Sequence, residues 1–146
     1  MNLVLECDTF DKKNIFFHEP VKNTVMTDSN FIRIIYSNKE IVLNGIYIKL
    51  DINKSFLQKK YSFSKSHTND INDIVFGFIE NLERTILQKY KSDNNKVYKM
   101  KDQISYLINK INNCNNDRVI FSYILKISGL WETQTDVGIT HKFIYL

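Results

Sequence analysis

The stretch RVIFSYILKISGLW at residues 118–131 sets the architecture of this chain because its side chains alternate in character along an extended backbone. Successive side chains of a strand point to opposite faces. One face carries Val119, Phe121, Tyr123, Leu125 and Ile127, and the other carries Ile120, Ser122, Ile124, Lys126 and Ser128. The next residues, ETQTDVG at 132–138, favour a turn, and ITHKFIYL at 139–146 favours a return strand. The C-terminal part of the chain is therefore predicted to be a β-hairpin.

The first part of the chain is also predicted to form strands, in short β-rich runs separated by polar segments. These runs cover residues 2–7, 14–18, 31–37 and 40–50, and residues 56–64 extend the same pattern. The polar SNKE at 37–40 predicts a hairpin, and Asn44-Gly45 predicts either a second tight turn or a bulge. Beyond that glycine, one face carries Ile46, Ile48 and Leu50, and the other carries Tyr47 and Lys49.

The middle of the chain changes to a helical period. Residues 69–91 are predicted to form one long helix whose buried stripe is Ile71, Ile74, Phe78, Ile79, Leu82 and Ile86. Its carboxylates Glu80 and Glu83 are expected on the solvated side. A second helix is predicted with one apolar side made of Val97, Met100, Ile104, Leu107, Ile108 and Ile111. The order of strands, two helices and a hairpin predicts an α+β fold, with an antiparallel sheet in a single domain of residues 1–146 and a helical insertion at about 69–111.

Several functional classes are disfavoured by what the sequence lacks. It contains no apolar run of eighteen residues and no secretory signal at its start, which predicts an intracellular protein without a membrane span. Cys7 and Cys114 are expected to be free buried thiols. The three histidines show no metal-ligand spacing, and no catalytic or nucleotide-binding motif occurs. A non-enzymatic protein without metal or cofactor is therefore expected.

Basic and aromatic residues are interleaved along the predicted strands. The formal net charge is +4, from 20 Lys and Arg against 16 Asp and Glu, although an AT-rich coding sequence would also enrich lysine. FIRIIY brings Arg33 near Tyr36, and QKKYSFSK surrounds Tyr61 with lysines. A groove for single-stranded nucleic acid needs cations for the phosphates and flat rings for the bases, and this pattern supplies both.

The hairpin carries a resemblance to a known group of proteins. KISGLWE at 126–132 and GITHKF at 138–143 resemble the C-terminal hairpin of small proteins from large DNA viruses. Those proteins look like oligonucleotide/oligosaccharide-binding (OB) folds and are commonly taken to bind single-stranded DNA. The resemblance implies an OB-like core, a single-stranded nucleic acid as partner, most naturally DNA, and a homo-oligomer. For a viral protein it also implies a location in the host cytoplasm or nucleus, or in the virion.

The residues expected to make the contacts follow from these patterns. Those predicted to bind phosphates are Arg33, Lys49, Lys126 and Lys142, and those predicted to stack on bases are Tyr36, Tyr47, Tyr61 and Trp131. Lys126 and Lys142 are expected on neighbouring strands as paired charges. Trp131 is assigned first to the core, with stacking as its alternative. The alternative for the whole chain is a viral structural or interaction protein that self-associates through its helices or strand edges.

Overall fold

The computed structural model describes residues 3–54, 71–115 and 117–146, with the side chains of the second range described from residue 74 onward. The predicted strand at 56–64 and the predicted site residue Tyr61 lie outside the described residues. The strands are β1 (Leu5–Glu6), β2 (Ile15–Phe17), β3 (Val21–Lys22), β4 (Asn30–Ser37), β5 (Val42–Asn44), β6 (Ile46–Asn53), β7 (Asn95–Val97), β8 (Ile120–Glu132) and β9 (Asp136–Tyr145). The helices are α1 (Ile71–Lys89), α2 (Lys99–Asn112) and a short 3-10 helix at Lys12–Asn14.

Strand β8 lies at the centre of the sheet, and the predicted hairpin that it forms with β9 is confirmed. Antiparallel pairing runs from Tyr123 opposite Tyr145 to Glu132 opposite Val137, with a register shift between Ile127 and Gly129. The first half of β8 also pairs with β6, and its last residues pair with β4. Because β8 pairs with three other strands, its position determines the arrangement of most of the sheet.

The α+β class is confirmed, but the sheet is not wholly antiparallel as expected. Strand β1 runs parallel to β6, and β7 runs parallel to β9. A short connection forces two consecutive strands to be antiparallel, whereas these two pairs are separated along the chain by other elements. Their direction was therefore open to either arrangement.

Gly45 divides the predicted strand 40–50 into two strands with different partners. Its backbone is left-handed, with φ +90°, and its N–H donates to the Ile34 carbonyl at 2.9 Å. On one side of it, β5 returns along β4 as the predicted hairpin. On the other side, β6 crosses to β8, and a Cβ on Gly45 would lie 3.0 Å from the Ile127 carbonyl oxygen. The glycine permits both the turn and the close approach.

The core lies between the sheet and the two helices. The predicted alternation in β6 and β8 is confirmed, because one face of each strand is buried: Ile46, Ile48, Leu50, Ile52, Phe121, Tyr123, Leu125 and Ile127. Val119 was expected on that face, but it lies just before β8 and is exposed. Beyond the end of the paired strand, alternation no longer determines burial.

The apolar stripe of α1 is shifted from the predicted one. The buried residues are Val75, Ile79, Leu82, Ile86 and Leu87. Phe78 is half-buried, and Ile74 is 59% exposed, so the prediction for Ile74 is wrong. Ile74 lies about 100° around the helix from Val75, away from the side where α2 packs. The side chain of Ile71 lies outside the described ones.

Glu83 joins the two helices instead of facing solvent as predicted. It is only 1% exposed, and its two oxygens accept the backbone N–H groups of Met100 at 2.7 Å and Lys101 at 3.1 Å. These donors belong to the first turn of α2, where helical N–H groups lack partners within the helix. Burial raises the pKa of Glu83, while the two N–H donors oppose that rise. The carboxylate therefore caps α2 from α1.

The second helix buries most of its predicted face. Met100, Ile104, Leu107 and Ile111 are buried, and Ile108 is partly buried against the core. Val97 was assigned to this helix but belongs to β7, where it pairs with Gly138. Its apolar side chain suits either element, and the pairing with β9 decides between them.

Candidate nucleic-acid interface

One face of the sheet turns away from α1 and α2, and we call it the outer face. It is formed by strands β4, β6, β8 and β9 and carries Phe31, Arg33, Tyr47, Lys49, Lys126, Trp131, Thr140 and Lys142. Strand alternation puts these residues opposite the buried ones. Lys126, for example, is half-buried between Leu125 and Ile127, which are both completely buried on the helix side. Most of the predicted contact residues therefore lie on one continuous surface.

A row of three residues crosses the outer face at the middle of β8. Tyr47 on β6 lies opposite Lys126, and Lys126 lies opposite Lys142 on β9. The Lys126 ammonium is 5.7 Å from the centre of the Tyr47 ring. Neither lysine forms an ion pair with any carboxylate in the part of the chain that the structure describes. The expected pair of charges on neighbouring strands is thus confirmed.

Lys49 lies on the outer face one step along β6 from this row. It is half-buried, shares its face with Tyr47 as predicted, and is opposite Ile124 on β8. On its other side, Glu6 of β1 is in register with it. This neighbouring carboxylate makes Lys49 a weaker anion contact than Lys126 or Lys142.

Arg33 is a further cation on the outer face, but its aromatic neighbour is not the predicted one. Its guanidinium carbon is 5.8 Å from the centre of the Phe31 ring, and its Nη1 donates to Asn44 Oδ1 at 2.8 Å. Phe31 is two residues from Arg33 and therefore points to the same face. That spacing was visible in the sequence and would have identified Phe31.

Tyr36 is a correction, because it lies on the opposite face from Arg33 and is only 1% exposed. Its ring stacks on Phe10 with ring centres 5.2 Å apart. Its hydroxyl oxygen accepts the Asp11 backbone N–H at 3.1 Å and the Asn14 side-chain amide at 3.3 Å. Tyr36 is three positions after Arg33, an odd offset that places the two side chains on different faces of a strand. A buried ring cannot stack on a base, so Tyr36 belongs to the core.

Trp131 combines features of both of its predicted roles. It is half-buried, and its indole lies so close to Gly138 that a Cβ there would be 2.5 Å from Trp131 Cζ2. The Lys99 ammonium lies 5.7 Å from the ring centre. The sheet thus holds the indole in place while part of it stays accessible. Lys99 arrives from the start of α2, and no spacing in the sequence indicates this contact.

A groove of about 500 Å³ opens beside Trp131 on the outer face. Its floor is formed by Phe31, Arg33, Trp131 and Thr140, and its wall by residues 21–26, from β3 and the segment that follows it. The lining contains two cationic side chains, Lys22 and Arg33, and no carboxylate among the described residues. The sequence patterns gave no indication of this wall.

Neither His141 nor Cys7 supplies a charge or a nucleophile to the outer face near neutral pH. Burial lowers the pKa of His141, which bonds through Nδ1 to the Ile139 carbonyl at 3.2 Å. Burial also raises the pKa of Cys7 to about 11, which keeps it a thiol near neutral pH. Cys7 and Cys114 are both free and partly buried. The described ranges contain no cluster of three His, Cys, Asp or Glu side chains that could hold a metal.

Comparison of the chain with protein-family models, curated proteins and solved structures found no match. Among the described residues, no helix is long and apolar enough to cross a membrane. The geometry of the outer face is therefore the basis for assigning a function.

Proposed function

We propose that this protein binds single-stranded nucleic acid, DNA in the first place, on its outer face, without catalysis and with little sequence preference. The observation that carries the proposal is the row of Tyr47, Lys126 and Lys142, in which two lysines face each other across adjacent strands. Like charges placed directly opposite each other destabilise a sheet. An anionic partner removes this repulsion when it binds.

Three ring–cation pairs lie on or beside the outer face, a combination that suits a nucleic-acid strand. The ring–cation pairs are Tyr47 with Lys126, Phe31 with Arg33, and Trp131 with Lys99. Cations bind phosphates of any sequence, and exposed rings stack on any base that is not paired. The long β8 strand with its register shift, together with the resemblance of the hairpin, supports an OB-like arrangement of this sheet.

Fluorescence anisotropy with a labelled poly-dT strand tests the proposal. The double variant Lys126→Glu, Lys142→Glu is compared with Lys39→Glu, Lys110→Glu, which reverses two exposed lysines away from the outer face. Both variants change the net charge by the same amount, since each replaces two positive side chains with two negative ones. The control separates the effect of position from the effect of overall charge.

We expect the outer-face variant to lose most of its affinity and the control to retain most of it. The slope of log affinity against log salt should fall by about 0.7 for each phosphate contact that the variant loses. Equal losses in the two variants would show that only overall charge matters. A wild-type protein that does not bind the strand at low salt would contradict the proposal.

A second candidate function is self-association, and it rests on the other end of the same hairpin. Ile120 and Leu146 are each more than half exposed there, and exposed apolar side chains suit a protein contact. We expect an oligomer in light scattering that Ile120→Glu dissociates. A mass of 17.3 kDa at all concentrations would identify a monomer and contradict this candidate.

A further inference from the structure

We infer that the groove beside Trp131 holds one unpaired base of the bound strand, clamped between the sheet and the segment at residues 21–26. This inference rests on the proposed function and adds to it a defined base-binding position. According to this inference, the wall of the groove contacts the bound strand, as the cations and rings of the outer face do.

The wall carries apolar side chains that are exposed to solvent and therefore do not contribute to core packing. Val25 is 95% exposed, and Met26 is also exposed. The Asn23 side-chain oxygen accepts the backbone N–H groups of Val25 at 3.0 Å and Met26 at 3.2 Å. Asn23 N–H also donates to the Ser29 carbonyl at 2.9 Å, which closes the turn. The turn therefore holds Val25 and Met26, the apolar tip of the wall, beside the groove and outside the core.

The charges around the groove match a nucleotide, which combines a flat ring with an anionic phosphate. Arg33 and Lys22 line the groove, and Lys99 lies against the indole of Trp131. No Asp or Glu lines the groove within the described ranges. An aromatic surface between cations suits a stacked base whose neighbouring phosphates need neutralising.

The groove continues directly from the lysine row. Thr140 lines the groove and is two residues from Lys142 on the same face of β9, a separation of about 7 Å along a strand. A strand bound at Lys126 and Lys142 therefore reaches the groove within one or two nucleotides. A base that stacks on Trp131 takes the place of the Lys99 ammonium, which is exposed and becomes available to a phosphate.

Trp131 makes the test direct because it is the only tryptophan in the chain. A dT oligonucleotide is titrated into the wild-type protein while its anisotropy and the Trp131 emission are both recorded. We expect the emission to be quenched with the same midpoint as the anisotropy change, since base stacking brings the two rings into contact. Anisotropy reports binding anywhere on the protein, whereas quenching reports the groove.

The variant Val25→Asp places a negative charge at the tip of the wall, and we expect it to weaken binding about tenfold. Ile74→Asp makes a comparable change at an exposed aliphatic residue of α1 and should leave the affinity unchanged. Thermal unfolding followed by circular dichroism checks that both variants fold. An anisotropy change without quenching, or equal affinity of Val25→Asp and wild type, would overturn the clamp and leave the proposed function standing. Absence of any binding by the wild type would overturn both.

Discussion

The two faces of the sheet are built from the same strands but differ in what their side chains do. On the helix side, Leu125 and Ile127 are completely buried under α1 and α2. On the outer face, Lys126 between them lies opposite a second lysine and beside an aromatic ring. Burial explains the choice of residue on the first face. On the outer face burial explains little, because packing gives no reason to place two lysines opposite each other on adjacent strands.

This difference shows where stability and binding are separated in the molecule. Substitutions on the helix side should act on the free energy of unfolding, and those on the outer face should act on affinity. Adjacent residues of one strand then give matched pairs, since their backbone surroundings are nearly the same.

The largest effect is expected for Leu125→Ala. Removal of a completely buried leucine should lower the free energy of unfolding by about 2–5 kcal/mol. Lys126→Ala, one residue further, should change it by less than about 0.5 kcal/mol, while it weakens oligonucleotide binding. Urea denaturation measures the first quantity and anisotropy the second. Similar losses of stability in the two variants would remove the distinction between the faces.

The next effect concerns Gly129, where β4 and β8 approach each other closely. A Cβ at this position would lie 2.2 Å from the Ile32 carbonyl oxygen and 2.8 Å from the Phe31 ring. Gly129→Ala should therefore destabilise the protein by about 1–3 kcal/mol through overpacking. Gly77→Ala is the control, because nothing lies within 4 Å of its Cβ position and alanine favours the α1 helix by about 1 kcal/mol. Chemical denaturation should show opposite signs, and a stable Gly129→Ala protein would contradict the close approach.

A smaller effect is expected from Gly138→Ala, which acts on Trp131. The atoms nearest to the added methyl group belong to the indole ring, so the ring must move. We expect about a tenfold loss of affinity, which corresponds to about 1.4 kcal/mol, together with a shift of Trp131 emission. An unchanged affinity with a shifted emission would show that the position of the indole does not matter for binding.

Almost no effect is expected from pH between 7 and 8.5. The pKa of His141 is lowered by burial, so this residue is already neutral above its usual value of 6.5. Lys and Arg keep their charge over the same range. Affinity should therefore change by less than about twofold over this range. A loss of affinity with a midpoint near pH 7 would indicate a contribution from His141.

Much of the fold could be predicted because the alternation within single strands is a local property. The faces of β6 and β8 and the hairpin followed from it directly. What failed depends on contacts between distant segments. Ile74 is exposed and Glu83 is buried because α2 packs on one side of α1. The sequence pattern of either helix alone does not predict which side that is.

The site was predictable to a similar extent. Lys126 and Lys142 could be placed because both belong to one hairpin. The prediction that Arg33 pairs with Tyr36 was wrong, because residues three positions apart on a strand lie on opposite faces. Phe31, two positions from Arg33, lies on the same face and is its aromatic neighbour. Lys99 and the wall at residues 21–26 are brought to the outer face by tertiary structure, so no local sequence pattern predicts their position there.

Lysine footprinting locates the bound strand on the unaltered protein. Brief acetylation with and without a dT oligonucleotide, followed by mass spectrometry, compares the accessibility of each lysine. We expect Lys126 and Lys142 to be protected most, Lys49 and Lys99 less, and Lys101 and Lys110 on α2 not at all. Protection of the α2 lysines with continued modification of Lys126 and Lys142 would show that nucleic acid binds elsewhere, and would contradict the assignment of the outer face.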